Sequence, residues 1–333
     1  MVKRNNNFSI SMANIVDALR SILAEQLLLD EPMADHSTFH IGGPARYFCP
    51  VINEEQLLAV LQIIKKEKIP YTVIGGGSNI LVSDQGFAGI VIKIAFDKLK
   101  IKDGNIIDCD AGVDLGRLVG KSVASGLTGL EWAVGIPGSV GGAIYGNAGA
   151  YRGDMKDSVI AVRVLRAGKI KVVKNKKCGF TYRDSWFKQN PGDIILSATF
   201  QLAPGDQAES RAKMKTILKE REAKFGDCIS AGSVFKNIIL TAEEMVEFVA
   251  RHPELPEQFA TYRKVPAAWL IDQCDFRGVT IGGARVYDRH AGIITNLGGA
   301  TAEDVVILIS RIKQKVRVNF NIQLIEEIQY VGF

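Results

Sequence analysis

Apolar residues recur at helical spacing over residues 14–29, where Ile15, Leu19, Ile22 and Leu23 share a face, and this predicts a short amphipathic helix. A second helix is expected after Asn53. Asn53 suits an N-cap, Gln56 sits three positions on as in a capping box, and Leu57, Leu58, Leu61 and Ile64 follow. Lys65, Lys66 and Lys68 suit its negative end, and Pro70 stops it. The apolar runs Tyr71–Ile74, Ile80–Val82 and Gly89–Ile94 read as strands. Residues 96–205 alternate short strands with Gly-rich turns, interrupted by a helix over Leu115–Ser125. A polar helix is predicted over Gln207–Lys224, then mixed α and β structure. Thr301-Ala-Glu-Asp304 opens a helix carrying Val305, Leu308, Ile309, Ile312 and Val316 on one face. Residues 322–331 read as a closing strand.

A chain of 333 residues is long for one core. The patterns divide it into residues 1–205 in two lobes (about 1–95 and 96–205), a second domain over 206–318, and a C-terminal strand, 319–333. The net charge of +5 is too small and too dispersed for a nucleic-acid face, but it favours anionic small molecules. Lys174–Lys177 fits a solvated turn. Cys49, Cys109, Cys178, Cys228 and Cys274 are odd in number and widely spaced, which argues for reduced thiols and against disulfides or zinc. The histidines show no metal-ligand spacing, no run approaches a membrane span, and no secretory signal is expected. A cytoplasmic protein is expected.

Five segments carry candidate chemistry. Gly75-Gly76-Gly77-Ser78-Asn79 ends a strand; it fits either an anion loop of backbone N–H groups or a tight turn. Gly135-Ile136-Pro137-Gly138-Ser139-Val140-Gly141-Gly142, continuing through Asn147, Gly149 and Ala150 to Tyr151, is too glycine-dense for a turn alone and suits backbone folded around a pyrophosphate. G-x-G-x-x-G and a Walker loop are both absent, so the two loops together suit a dinucleotide on a non-Rossmann fold. Arg183, after Tyr182, either presents its planar fork to a carboxylate or enolate, or pairs with Asp184. Ser233 sits among small residues that leave its hydroxyl exposed, but no G-x-S-x-G surrounds it, which argues against acyl transfer. Strand alternation sends Glu326 and Glu327 to opposite faces, one toward solvent and one toward a cleft or the interior.

The ordered set Ser37–Ala45, Gly75–Asn79, Leu130–Gly142, Asn147–Tyr151, Tyr182–Ser185, Ala231–Asn237 and Ala291–Asn296 resembles the UDP-N-acetylenolpyruvoylglucosamine reductase family from about residue 35 to the C-terminus. The resemblance implies an α+β fold: a two-lobed vanillyl-alcohol-oxidase-type FAD-binding domain plus a smaller α+β substrate-binding domain. It implies non-covalent FAD held by Gly75, Gly76, Gly77, Ser78, Asn79, Ile136, Pro137, Gly138, Ser139, Gly141, Gly142, Asn147, Gly149 and Ala150. NADPH would be the hydride donor and a UDP-sugar enol ether the acceptor, in peptidoglycan precursor synthesis. Arg183, Ser233 and Glu327 would be catalytic: Arg183 facing the enolate charge, Ser233 giving the proton, Glu327 helping to hold the enol. Tyr151, Tyr182, Lys224, Asn237 and His290 would touch substrate, and the chain would work as a monomer. The sequence departs from the family pattern at Lys224-Phe225-Gly226, at Ile238, at Glu326 and in a longer segment 238–264. Two other classes fit the same loops: a flavin oxidase of this fold, and a non-catalytic nucleotide-sugar binder.

Overall fold

The computed structural model describes residues 7–333. The chain forms two compact units. The first comprises residues up to Pro32, Pro44–Gly76 and Phe87–Arg221; the second comprises Met33–Gly43, Gly77–Gly86 and Glu222–Phe333.

The first unit holds two sheets. One has four strands in the order Leu28–Pro32, Pro44–Val51, Phe87–Ile94, Tyr71–Ile74; its first pair is antiparallel and the other pairs are parallel. The parallel strands need a crossover, and helix Glu54–Glu67 is part of it. Asn53 caps that helix by accepting the Gln56 N–H, as predicted, but the Gln56 side chain reaches the Ile52 N–H rather than that of Asn53. Ile90, Val91 and Ile92 are all fully buried, the continuous apolar run expected of an inner parallel strand. The second sheet is antiparallel, in the order Lys169–Lys174, Val159–Arg166, Ile194–Gln201, Ile106–Asp110, Leu99–Lys102. One continuous apolar core runs through both sheets. The predicted N-terminal helix is displaced: it runs Asn7–Leu23 and ends where Ala24 takes a left-handed φ of 49°.

The second unit packs helix Ala302–Phe320 against a three-stranded sheet of Thr280–Ile281, Ala284–Val286 and Ile294–Asn296. Thr301 and Asp304 form the capping box that the sequence signalled. The Asp84 carboxylate adds bonds from the Ala302 and Glu303 N–H groups at 2.8 and 3.1 Å, so a distant loop completes the cap. Residues 322–331 are not one strand. Glu326 makes an isolated antiparallel bridge to Phe235, and only Gln329–Val331 is regular, parallel to Ile80–Val82. The segment changes partner part-way, which breaks the ladder. Helices Ala242–Arg251 and Glu257–Thr261 occupy the long 238–264 stretch.

The division departs from a boundary at 205/206 for two reasons. Helix Gln207–Phe225 belongs to the first unit as far as Arg221. Its Ser210 hydroxyl donates to the buried Glu131 carboxylate at 2.7 Å, its Ile217 is buried, and its Arg221 Nε donates to the Gly135 carbonyl at 3.1 Å. Residues 33–43 and 77–86 join the second unit. Thr38 Oγ1 donates to the Ser230 carbonyl, Asn296 Nδ2 to the Phe39 carbonyl, and residues 80–82 pair with 329–331. None of these long-range partners is visible in local pattern.

Glu131 is 1% exposed. Burial pushes its carboxyl up, but bonds from Thr128, Ser210 and the Gly129 N–H outweigh that and hold it below its ordinary 4.5. A depressed carboxylate stabilises the fold above its unfolded pKa and loses that stabilisation as pH falls through the folded value. Glu131→Gln is therefore expected to cost about 1–3 kcal/mol at neutral pH. The cost should shrink as pH is lowered from about 4.5 toward 3, read by urea unfolding of both proteins across that range.

Candidate active site

In the first unit the two glycine segments lie backbone against backbone. A Cβ on Gly75 would stand 2.2 Å from Ser139 Oγ, and one on Gly76 would stand 2.6 Å from Gly138 Cα and 3.0 Å from Ser139 N. Neither glycine has a left-handed φ, so it is the close approach that excludes a side chain. Ser139 is buried and caps the short helix Val140–Tyr145 by accepting the Gly142 N–H. The Val140 and Gly141 N–H groups donate to the Val113 and Ala111 carbonyls, which fixes the second loop to the sheet. Asn147, φ 42°, spends its amide inside the fold: Nδ2 donates to the Thr181 carbonyl and Oδ1 accepts the Lys156 N–H.

Arg183 leaves the Thr181–Asp184 turn with a left-handed φ of 55°. Its Nη2 donates to the Gly149 carbonyl at 2.6 Å, and its guanidinium lies 5.5 Å from the Tyr182 ring centroid. Asp184 accepts from the Ser185 N–H and from Gln189 Nε2. The permanently charged fork therefore docks on the second glycine loop itself. Tyr151 and Arg152 are left-handed as well, with φ 48° and 67°. Non-glycine residues in this region carry strain of order 1 kcal/mol or more and cluster at functional sites. Glu220 and Arg221 reach the same loop: Arg221 bonds the Gly135 carbonyl, and Glu220 pairs with the Tyr151 hydroxyl, which burial and that carboxylate hold above its ordinary pKa. Sequence reasoning missed Glu220 and Arg221, because only the fold brings this helix to the loop.

In the second unit three backbone segments are laced through one residue, Val234. The Val234 N–H donates to the Gly292 carbonyl at 2.9 Å, and the Val234 carbonyl accepts the Glu327 N–H at 2.7 Å. Ser233, one residue before, bridges Ile293 and is solvent-exposed. Gly232, φ 76°, supplies the left-handed turn that leads into it. Asn79 Nδ2 and Gln329 Nε2 both donate to the Glu327 carbonyl, at 3.1 and 3.0 Å, while the Asn79 carbonyl accepts the Gln329 N–H. Both ends of the Glu327 main chain are therefore fixed beside Ser233. Asn79 and Gly77 belong to this unit, and a Cβ on Gly77 would stand 1.9 Å from the His36 carbonyl.

His290 is held on the adjoining loop, where its N–H donates to the Tyr287 carbonyl. Burial, then Lys224, then Arg277 push its pKa down to about 4, so the ring is neutral at physiological pH. Its buried Nδ1 has no hydrogen-bond partner among the described residues. Arg277 is committed to both Asp272 oxygens at 2.7 Å and to the Asp288 carbonyl. Lys224 lies 5.3 Å from the Phe225 ring, and Gly226, φ 52°, packs against Tyr287 and Arg289. This gathers the Lys224 and Arg289 cations around the neutral His290 ring. Asn237 Oδ1 accepts the Ala267 N–H. Glu326 turns to Lys313, with Nζ–Oε1 at 2.7 Å.

Burial pushes the Cys49 and Cys109 thiols up to about 12, which leaves them unreactive. Among the described residues no group of three His, Cys, Asp or Glu side chains is arranged to hold a metal. No helix among them is long and apolar enough to cross a membrane.

Residues 44–173 match the FAD binding domain model, and residues 222–331 match the C-terminal domain model of UDP-N-acetylenolpyruvoylglucosamine reductase. With the two-lobed α+β first unit and its paired glycine loops, this defines an FAD-dependent oxidoreductase of the vanillyl-alcohol-oxidase type. The UDP-N-acetylenolpyruvoylglucosamine reductase of Solibacter usitatus is 38% identical over 302 residues, 90% of this chain and 95% of the relative. That of Caldanaerobacter subterraneus is 36% identical over 321 residues, covering 96% and 98%. The crystal structure of UDP-N-acetylenolpyruvylglucosamine reductase from Thermus caldophilus superposes with a TM-score of 0.72 at 30% identity, over 92% of this chain and 98% of that one. The chain belongs to the UDP-N-acetylenolpyruvoylglucosamine reductase family.

The glycine cradle fits a flavin dinucleotide, since its backbone approach leaves no room for side chains where the loops meet. Gly76→Ala would force those loops apart by the bulk of a methyl group. The variant is expected to purify folded but with most of its flavin absorbance lost, measured as flavin per protein against an unchanged far-UV spectrum.

Proposed function

We propose that this chain reduces the enolpyruvyl group of UDP-N-acetylglucosamine enolpyruvate to the lactyl ether of UDP-N-acetylmuramate, a step in peptidoglycan precursor synthesis. Bound FAD would accept a hydride from NADPH and deliver it to carbon 3 of the enolpyruvyl group. Gly75, Gly76, Gly77, Ser78, Asn79, Ile136, Pro137, Gly138, Ser139, Gly141, Gly142, Gly149 and Ala150 would hold the cofactor. Asn147 would act indirectly, by pinning the turn that carries Arg183.

Hydride addition at carbon 3 pushes negative charge into the substrate carboxylate, giving an enolate-like species. Arg183 would face that charge, since a fixed cation aimed where charge develops is the largest available stabilisation. Ser233 would deliver the proton to carbon 2. Glu327, held one residue across the bridge, would hydrogen-bond the enol and complete the acid pair. Lys224 and His290 would meet the UDP diphosphate, with neutral His290 acting as a hydrogen-bonding group. Tyr151, Tyr182 and Asn237 would line the substrate. The observation that carries this reading is the pair of main-chain bonds at Val234, which ties the segments bearing Ser233, Glu327 and His290 together. The chain would work as a monomer. NADPH and UDP-sugars are cytoplasmic metabolites, which supports that compartment.

Incubation of the protein with NADPH and the enolpyruvyl UDP-sugar tests the reading by mass spectrometry. A product heavier by two hydrogens supports it. NADPH consumption that requires oxygen, with the UDP-sugar unchanged, overturns it.

A further inference from the structure

We propose that Lys313 is a positioning residue for the Ser233–Glu327 pair, acting through its ion pair with Glu326; the inference rests on the roles just proposed for Ser233 and Glu327. Lys313 Nζ meets Glu326 Oε1 at 2.7 Å, with both side chains mostly buried, 30% and 25% exposed. The lysine stands on a rigid base. Helix Ala302–Phe320 is capped at its start by Thr301, Asp304 and Asp84, and its inner face is buried through Val305, Leu308, Ile309, Ile312 and Val316.

Glu326 is the hinge point of the catalytic register. Its backbone bridges Phe235, flanked by the Ile325 carbonyl accepting the Lys236 N–H at 2.9 Å and the Glu327 N–H donating to Val234 at 2.7 Å. That bridge is isolated: no ladder extends it, because the chain changes partner before Gln329. A one-bridge contact carries little register information of its own. Lys313 supplies what the short bridge lacks, a charged tether from a packed helix to the residue next to Glu327. The pair also lines an open surface depression together with Ser310, Arg317, Tyr330 and Phe333. Without the lysine, the Glu326 carboxylate can turn into that space for water and draw the segment with it.

The test is a charge exchange. Lys313→Met and Glu326→Lys are each expected to lower kcat roughly ten- to a hundredfold with KM for the UDP-sugar changed less, because displacement of a catalytic group by about 1 Å has that cost. The rate of flavin reduction by NADPH should stay at its wild-type value in both. Lys313→Arg should retain activity, and the double variant Lys313→Glu/Glu326→Lys should recover most of the lost kcat. Thermal midpoints of wild type, Lys313→Glu, Glu326→Lys and the exchanged double variant, combined as a double-mutant cycle, report the ion pair independently of turnover. A lowered midpoint with wild-type kcat in Lys313→Met would show a purely structural pair and overturn the proposal, as would an exchanged double variant no better than the singles. Glu327→Gln is the control. A kcat lost there but kept in Lys313→Met defeats only the positioning role, whereas a kcat kept in Glu327→Gln removes the reading beneath it.

Discussion

Arg183→Ala is expected to lower the rate of enolpyruvyl reduction by about a hundred- to a thousandfold, the cost of removing one preorganised donor from a developing anion. The geometry gives the reason. Arg183 is not a mobile surface cation: its Nη2 is docked on the Gly149 carbonyl, its guanidinium lies against Tyr182, and its backbone is held at φ 55°. The charge is in place before the substrate arrives, so little reorganisation opposes the reaction. The loss should fall on the substrate half of the cycle. Stopped-flow mixing with NADPH should show flavin bleaching at the wild-type rate, and mixing of the reduced protein with the UDP-sugar should show the defect. Arg183→Lys should recover only part of the rate, because an ammonium restores the charge but not the planar fork. An Arg183→Ala protein that turns over within threefold of wild type would remove Arg183 from the chemistry.

Ser233→Ala is expected to cost about a hundred- to ten-thousandfold in kcat, the range for losing a positioned proton donor. The substitution is a clean one. The bonds that organise this region are main-chain bonds, Val234 to Gly292 and Glu327 to Val234, and alanine keeps them. Stability and flavin content should therefore match wild type. Ser233→Cys should be more active than Ser233→Ala, since a thiol can still supply a proton at the same position. A large fall in thermal midpoint, or an equal loss in both variants, would point to a packing role for the hydroxyl.

The parts legible in the sequence were those written in local pattern. The Asn53 and Thr301 caps, the strands at 71–74, 80–82 and 89–94 (the last is two residues longer in the fold), and the two glycine loops follow from spacing and residue type alone. Arg183, Ser233 and Glu327 came from the order of motifs, and the roles given to them are proposals that the variants above examine. What the sequence withheld were contacts between distant segments. Nothing local in Asp84 shows that it caps a helix more than two hundred residues away, nor in Asn79 that its amide holds the Glu327 carbonyl. The 322–331 run reads as one strand because alternation is a one-dimensional signal, and a change of partner leaves no mark in it. Helix Ala242–Arg251 went unread although Thr241 and Glu244 form a capping box, a signal that a search for caps could have found. Nothing local distinguishes Glu131 or Arg221 from other charged residues, and only the fold shows one buried and the other on the glycine loop.

In the proposed reaction electrons pass from NADPH through the bound flavin to an enolpyruvyl UDP-sugar on this chain. The most direct measurement is anaerobic: bleach the flavin of the purified protein with one equivalent of NADPH, then add UDP-N-acetylglucosamine enolpyruvate and follow the visible spectrum. Rapid return of the oxidised flavin spectrum without oxygen, with UDP-N-acetylmuramate as product, is the predicted result. A spectrum that stays bleached until air is admitted would contradict it.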